Sequence, residues 1–153
     1  MPVTTRLQTD LLNPPAELEA FMAGRTDDGA VVSFVGIARG TAKSGEPVET
    51  LFLEHYPGMT ERSIAGIAEA GAARFEVSDV LVVHRCGEIA PGEAIVFVAA
   101  ASRHRGEAFA AADYLMDRLK TEAAFWKRED GAGRSRWIDP TEGDIQRRAR
   151  WSD

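Results

Sequence analysis

The stretch that decides the fold is AIVFVAAASRHRGEAFAAADYLMDRLKTEAAFWKRE, Ala94 to Glu129. Its first part, Ala94 to Ala101, is an apolar run of strand length, rich in Val, Ile and Phe. Ser102 then offers a helix N-cap and the period changes. Ala108, Ala112, Leu115, Met116, Leu119 and Ala123 recur at three- and four-residue steps, the mark of one buried helical face. A buried strand therefore runs straight into an amphipathic helix through Ser102-Arg103-His104-Arg105. Helix N-termini carry partial positive charge and free N–H groups and favour Asp and Glu, so two arginines and a histidine there need balancing. A bound anion held by the N–H groups and the cationic side chains together would do it. Carboxylates from elsewhere in the chain would serve as well, since an exposed arginine at a helix start costs only about 0.3–1 kcal/mol.

Working outward, Met1 to Asn13 reads as a strand or an arm, and Pro14 to Met22 as a short helix with proline in its first turn. Thr26 to Gly29 is a turn. Ala30 to Ala38 (AVVSFVGIA) is a strand in which Gly36 marks a bulge or a close backbone approach. Gly40 to Glu49 is polar and glycine-containing, with little to bury, and is expected to be mobile. Thr50 to Tyr56 returns as a strand antiparallel to the first, and Thr60-Glu61 caps a helix running to about Ala73 with Ile64, Ile67 and Ala68 inside. Val77 to Arg85 is a strand, Gly87-Glu88 a turn, and Ser135 to Ile138 closes a hairpin across Gly131 to Gly133. The tail after Pro140 is charged, helical or frayed. The pattern predicts one α+β domain over residues 1–153, with a ββαββα core at about 29–138 and a C-terminal hairpin.

The chain of 153 residues carries 44% hydrophobic and 27% charged residues, ordinary for a soluble globular protein. A net charge of −6 disfavours a general nucleic-acid binder, which wants a basic face. The single cysteine, Cys86, excludes an internal disulfide and a cysteine-based zinc site; at a strand end it reads as a packed thiol. No apolar run approaches the ~20 residues of a membrane span, and a cytoplasmic protein is expected.

No zinc, Ser-His-Asp, phosphate-loop or dinucleotide motif is present, and the candidates for chemistry are basic. Lys120 sits where a lysine complements a helix C-terminus without further reason. Lys127 follows Phe125-Trp126, where aromatic bulk can desolvate an amine and lower its pKa. Arg39 ends a buried strand and opens a loop, a good place for binding. His55 supports a turn, and His84, inside an apolar strand, is a core histidine.

Four segments carry a resemblance: LEHYPGMTE at Leu53 to Glu61, VVHRCGEIAPGE at Val82 to Glu93, SRHRGEAF at Ser102 to Phe109 and MDRLKTEAAFWKRE at Met116 to Glu129. Together, in order from about Gly29 to Trp137, they resemble the large, catalytic subunit of molybdopterin synthase, the MoaE family. The resemblance implies an α/β-hammerhead-type fold with an added antiparallel sheet. It also implies a sulfur transferase of molybdenum-cofactor biosynthesis that converts cyclic pyranopterin monophosphate (precursor Z) into molybdopterin. The sulfur donor would be the C-terminal Gly-Gly thiocarboxylate of a small ubiquitin-like partner subunit. The assembly would be a heterotetramer around a homodimer of large subunits, with no cofactor, metal, nucleic acid or membrane involved. The catalytic pair it implies is Lys120 and Lys127. Because Lys120 ends a rigid helix, where position is better fixed than in Phe125 to Glu129, it is expected to be the more critical and to face the channel for the partner's tail. The substrate-binding set is Ile37, Ala38, Arg39, His104, Arg105, Lys120, Lys127, Arg128 and Glu129. The alternative is a non-catalytic anion-binding or scaffold subunit of the same fold.

Two positions depart from the family pattern. Gly40 follows Arg39 where Asn or Asp is usual, and Pro140-Thr141 stands where some members carry a tail arginine, so no tail arginine is assigned. A length adds a constraint. Arg105 and Lys120 on one helix lie about 22 Å apart at 1.5 Å per residue, too far for a pterin monophosphate of roughly 10 Å to touch both. A site built from His104 and Arg105 of one large subunit and Arg39, Lys120 and Lys127 of its dimer mate would satisfy both demands.

Overall fold

The junction between Ala94 and Glu129 is the spine of the computed structural model, which describes residues 2–152. Strand β6 (Ala94–Ser102) is central in a sheet ordered β1-β4-β6-β2, with β1 (Val3–Gln8), β4 (Asp79–Arg85) and β2 (Ala30–Ile37). Flanked on both sides, β6 is fully buried from Val96 to Ser102, which is why it reads as an unbroken apolar run. The sheet is antiparallel except for β1, which joins β4 in parallel. On one face α2 (Met59–Arg74) and α3 (Arg105–Glu122) bury Ile64, Ile67, Ala68, Ala111 and Leu115 against Val80, Val82, Val96 and Val98. On the other, α1 (Pro14–Met22) sets Phe21 with Leu12 against Leu81, Val83 and Phe97. Burying a side chain the size of Phe97 contributes about 1.5–3 kcal/mol.

A second sheet, ordered β5-β3-β7-β8 and wholly antiparallel, contains β5 (Gly87–Ile89), β3 (Thr50–His55), β7 (Phe125–Gly131) and β8 (Arg134–Ile138). Its inner face packs Leu51, Leu53 and Ile89 around Ala38. A last helix, α4 (Glu142–Ala149), lies along α3 without a buried residue of its own. The mixed α+β class and the additional antiparallel sheet are as expected from the sequence.

Several local expectations are corrected. β3 does not pair with β2: it joins β5 and β7 in the second sheet, while β2 pairs with β6. Gly87-Glu88 is not merely a turn but the start of β5, entered through Gly87 at φ 85°. The N-cap of α3 is His104; Ser102 stays at the end of β6, where its hydroxyl donates to the Glu76 carbonyl at 2.6 Å and accepts the His104 N–H at 3.1 Å. The N-cap of α2 is Gly58, whose N–H the Glu61 carboxylate accepts at 3.2 Å, leaving the Thr60 hydroxyl for another use. Residues 40–49, expected to have little to bury, form a closed turn. Thr41 bridges Pro47, Ala42 and Val48 are buried, and the Glu49 N–H donates to the Asp130 carbonyl at 2.8 Å. Gly36 behaves as expected, with a register shift beside it and room for a Cβ only 2.7 Å from Val96 Cγ1.

Candidate active site

Lys120 stands exposed in the last turn of α3, and Lys127 is the third residue of β7. Alternation along β7 puts Phe125, Lys127 and Glu129 on the inner face, opposite His55, Leu53 and Leu51 of β3. Burial of the Lys127 amine is the main reason its pKa lies below the ordinary lysine value. The charge of Lys120 pushes it the same way and Arg39 adds a little, while Glu129 and Asp144 of α4 work in the opposite direction. Within one chain, then, the charges of Arg39, Lys120, Glu129 and Asp144 all act on the Lys127 amine. The backbone just before Arg39 leaves β2 along a fixed path: the Ala38 N–H donates to the Glu93 carbonyl at 2.9 Å, and its carbonyl accepts the Gly92 N–H at 2.8 Å.

The other expected residues divide. His104 and Arg105 are exposed at the N-terminus of α3, with no side-chain bond capping the helix, at the end remote from Lys120. Gly29 pins that junction: its N–H donates to the Ser102 carbonyl at 3.0 Å, and a Cβ there would lie 2.4 Å from the Arg103 carbonyl oxygen. Ile37 is exposed beside Arg39, whereas Ala38 is buried in the core, its N–H donating to the Glu93 carbonyl and its carbonyl accepting from Gly92. Arg128 points to the outer face of the sheet, between the Phe52 and Trp137 rings at 4.7 and 5.4 Å and ion-paired to Asp130 at 2.8 Å. Within one chain it is not brought to the lysines, because strand neighbours face opposite ways.

His84 is the core histidine expected: burial, above all, lowers its pKa to about 4, and its ring stacks on Phe125 at 4.4 Å. Cys86 is a packed thiol whose pKa burial raises. Among the described residues no group of three His, Cys, Asp or Glu side chains is placed to hold a metal ion. A groove of about 620 Å³ lies on the α1 side, away from the lysines, and most of its charges pair among themselves: Arg6 with Glu17, Arg25 with Asp28 and Asp79. Sequence reasoning missed Asp144 and the contacts behind the lysines made by Thr60 and Ser63, which join residues more than sixty positions apart.

A family model described as "MoaE protein" matches residues 7–122. The chain belongs to the MoaE family. Among its MoaE relatives, "Molybdopterin synthase catalytic subunit" from Caulobacter vibrioides is 51% identical over 138 residues, covering 90% of each chain. The protein of the same description from Ralstonia nicotianae is 47% identical over 148 residues, covering 97% of this chain and 84% of the relative. The solved structure "Molybdopterin biosynthesis MoaE protein from Burkholderia ambifaria MC40-6" is similar with a TM-score of 0.81 at 42% identity, over 99% of this chain and 98% of that one. The MoaE match ends at Glu122, so it spans α3 and Lys120 but not the strand carrying Lys127.

Proposed function

We propose that this chain is the catalytic subunit of a molybdopterin synthase, moving sulfur from the C-terminal thiocarboxylate of a small partner subunit onto precursor Z. The observation that carries this reading is Lys127 on the inner face of β7, its basicity lowered chiefly by burial and further by the positive charge of Lys120. Sulfur transfer builds negative charge at the attacked centre and needs protons moved to and from it. Lys127, drawn toward neutrality, exchanges a proton more readily than a solvated lysine. Lys120 supplies fixed positive charge at the helix end, and Arg39 binds the substrate's cyclic phosphate.

His104 and Arg105 enter the reading through the dimer. They lie at the far end of α3, about 22 Å from Lys120 by helix rise, so they serve the site of the other large subunit. Glu129 trims the positive field around Lys127, and Ile37 offers apolar contact at the rim. The protein is cytoplasmic in this reading; among the described residues no helix is long and apolar enough to cross a membrane.

The test is direct. Purified protein incubated with precursor Z and thiocarboxylated small subunit should form the dithiolene, and Lys120→Ala should abolish turnover while the partner still binds. Normal turnover by Lys120→Ala would mean the chain is a scaffold rather than the catalyst.

A further inference from the structure

Lys120 and Lys127 are joined by a sharp change of direction at Ala123 to Phe125, where α3 gives way to β7. The Phe125 N–H closes the bend on the Ala123 carbonyl at 2.8 Å. The polar groups of Ala124 are taken up by α2: its carbonyl accepts from the Thr60 hydroxyl at 2.6 Å, and its N–H donates to the Ser63 hydroxyl at 3.0 Å. The Thr60 hydroxyl is completely buried and also accepts the Tyr56 N–H at 2.8 Å, so one oxygen ties the end of β3, the start of α2 and the bend together. From the sheet side the His84 ring stacks on Phe125, centroids 4.4 Å apart and planes 27° apart. The His84 Nδ1 lies 2.8 Å from the Arg85 carbonyl, and since a carbonyl only accepts, Nδ1 carries the proton and the ring is held in one orientation.

We propose that Thr60, Ser63 and His84 are positioning residues for the sulfur-transfer reaction: they clamp the Ala123–Phe125 bend and thereby fix the separation and direction of the Lys120 and Lys127 amines. The two lysines sit on different kinds of element, and the bend is the covalent link between them. Freedom at the bend becomes freedom in the distance between the amines. Misplacing a catalytic group by 1 Å costs on the order of a hundredfold in rate, so a bend held on one side by two hydroxyls and on the other by a stacked ring matters for turnover more than for binding.

This rests on the lysines being the catalytic pair, so Lys120→Ala and Lys127→Ala are assayed alongside. Full-length Ser63→Ala, Thr60→Val and Thr60→Ser are compared with the parent for dithiolene formation, using precursor Z and thiocarboxylated small subunit. Circular dichroism and partner binding check the fold. Ser63→Ala and Thr60→Val should lose about tenfold or more in kcat with KM for precursor Z within about twofold, and Thr60→Ser should restore kcat to within about twofold. The inference is overturned if both hydroxyl deletions keep parental kcat, if the loss appears in KM alone, or if Thr60→Ser restores nothing. Should Thr60→Val not fold, Ser63→Ala decides by the same criteria. Dead lysine variants with fully active clamp variants would sink the clamp alone; active lysine variants would sink the assignment of the pair and the clamp with it.

Discussion

Replacing Asp117 by asparagine should release α4 from the body of the protein. The helix has no buried residue and is held to α3 by ion pairs from Arg147, Arg148 and Arg150 to Asp113, Asp117 and Glu122, of which Asp117 is the buried one. Asp117 accepts from Arg150 Nη2 at 2.9 Å, Arg147 Nε at 3.2 Å and Trp151 Nε1 at 2.7 Å. Its side chain is only 8% exposed, but the two arginines are 42% and 54% exposed, so each ion pair is discounted to roughly 0.5–1 kcal/mol. The indole bond to a buried charge adds about 1.5–3 kcal/mol. A loss of about 3 kcal/mol raises the population of undocked α4 on the order of a hundredfold. Limited trypsinolysis reads this out, because Arg147, Arg148 and Arg150 become cleavable only when α4 opens, and cleavage tracks the open population while opening is fast. Asp117→Asn should raise tail cleavage by about two orders of magnitude; a change below about threefold would refute the reasoning. The pH dependence has a definite sign. Burial raises the Asp117 pKa, but the bonds from Trp151, Arg150 and Arg147 outweigh it and hold the value below the usual carboxylate range. Docking is therefore complete above that range and is lost as pH falls through the lowered value.

Gly131→Ala should lower the melting temperature by about 3–10 °C in a calorimetric scan. Its Cβ would fall 2.4 Å from the Pro47 carbonyl oxygen and 3.1 Å from the Glu49 nitrogen, both backbone, at about 1–3 kcal/mol and about 2–4 °C each for a chain of this size. An unchanged melting point would show that residues 40–49 do not rest on β7. Lys127→Met should raise thermal stability at neutral pH while removing turnover. A folded-state pKa below the unfolded lysine value means that protonated Lys127 opposes folding, so the parent gains stability as pH rises from the lowered value toward about 10.5. The variant should lose that slope, and a variant less stable than the parent would contradict the assignment. Mixing inactive Arg105→Ala with inactive Lys120→Ala should restore about a quarter of parental activity by random dimer exchange. No recovery, with exchange demonstrated, would place all the site residues on one chain.

The readable part of the fold was the part whose pattern is local. The change from an apolar run to a 3.6-residue period fixed β6 and α3, and the same logic found α1, α2, β2 and β4. Partnership was not legible. β3 has the composition of a strand that could lie beside β2, and nothing in Thr50 to Tyr56 says that it pairs with β5 and β7 instead. Residues 40–49 looked featureless because their anchors, the Asp130 carbonyl and the Glu46–Arg134 ion pair, are contributed from more than eighty residues downstream. At the site, resemblance picked out Arg128 with Lys127, but the two-residue period of a strand separates them, and that signal was in the sequence to be read. Thr60 looked like a helix cap because capping is the common use of threonine before a helix; its bond to Ala124 is a tertiary fact.

The clasp between Thr60 and Ala124 spans 64 residues, and it also bears on how the protein is made. Contacts this distant form only after a long loop has closed, which places them late in folding. During synthesis β3 and α2 emerge long before β7, so an incomplete chain has no Ala124 carbonyl to accept from the Thr60 hydroxyl and no strand on the β7 side of β3. The amine keeps the ordinary basicity of a solvated lysine until β7 pairs with β3. The lowered basicity of this amine therefore belongs to the finished fold and is acquired in one of its last steps.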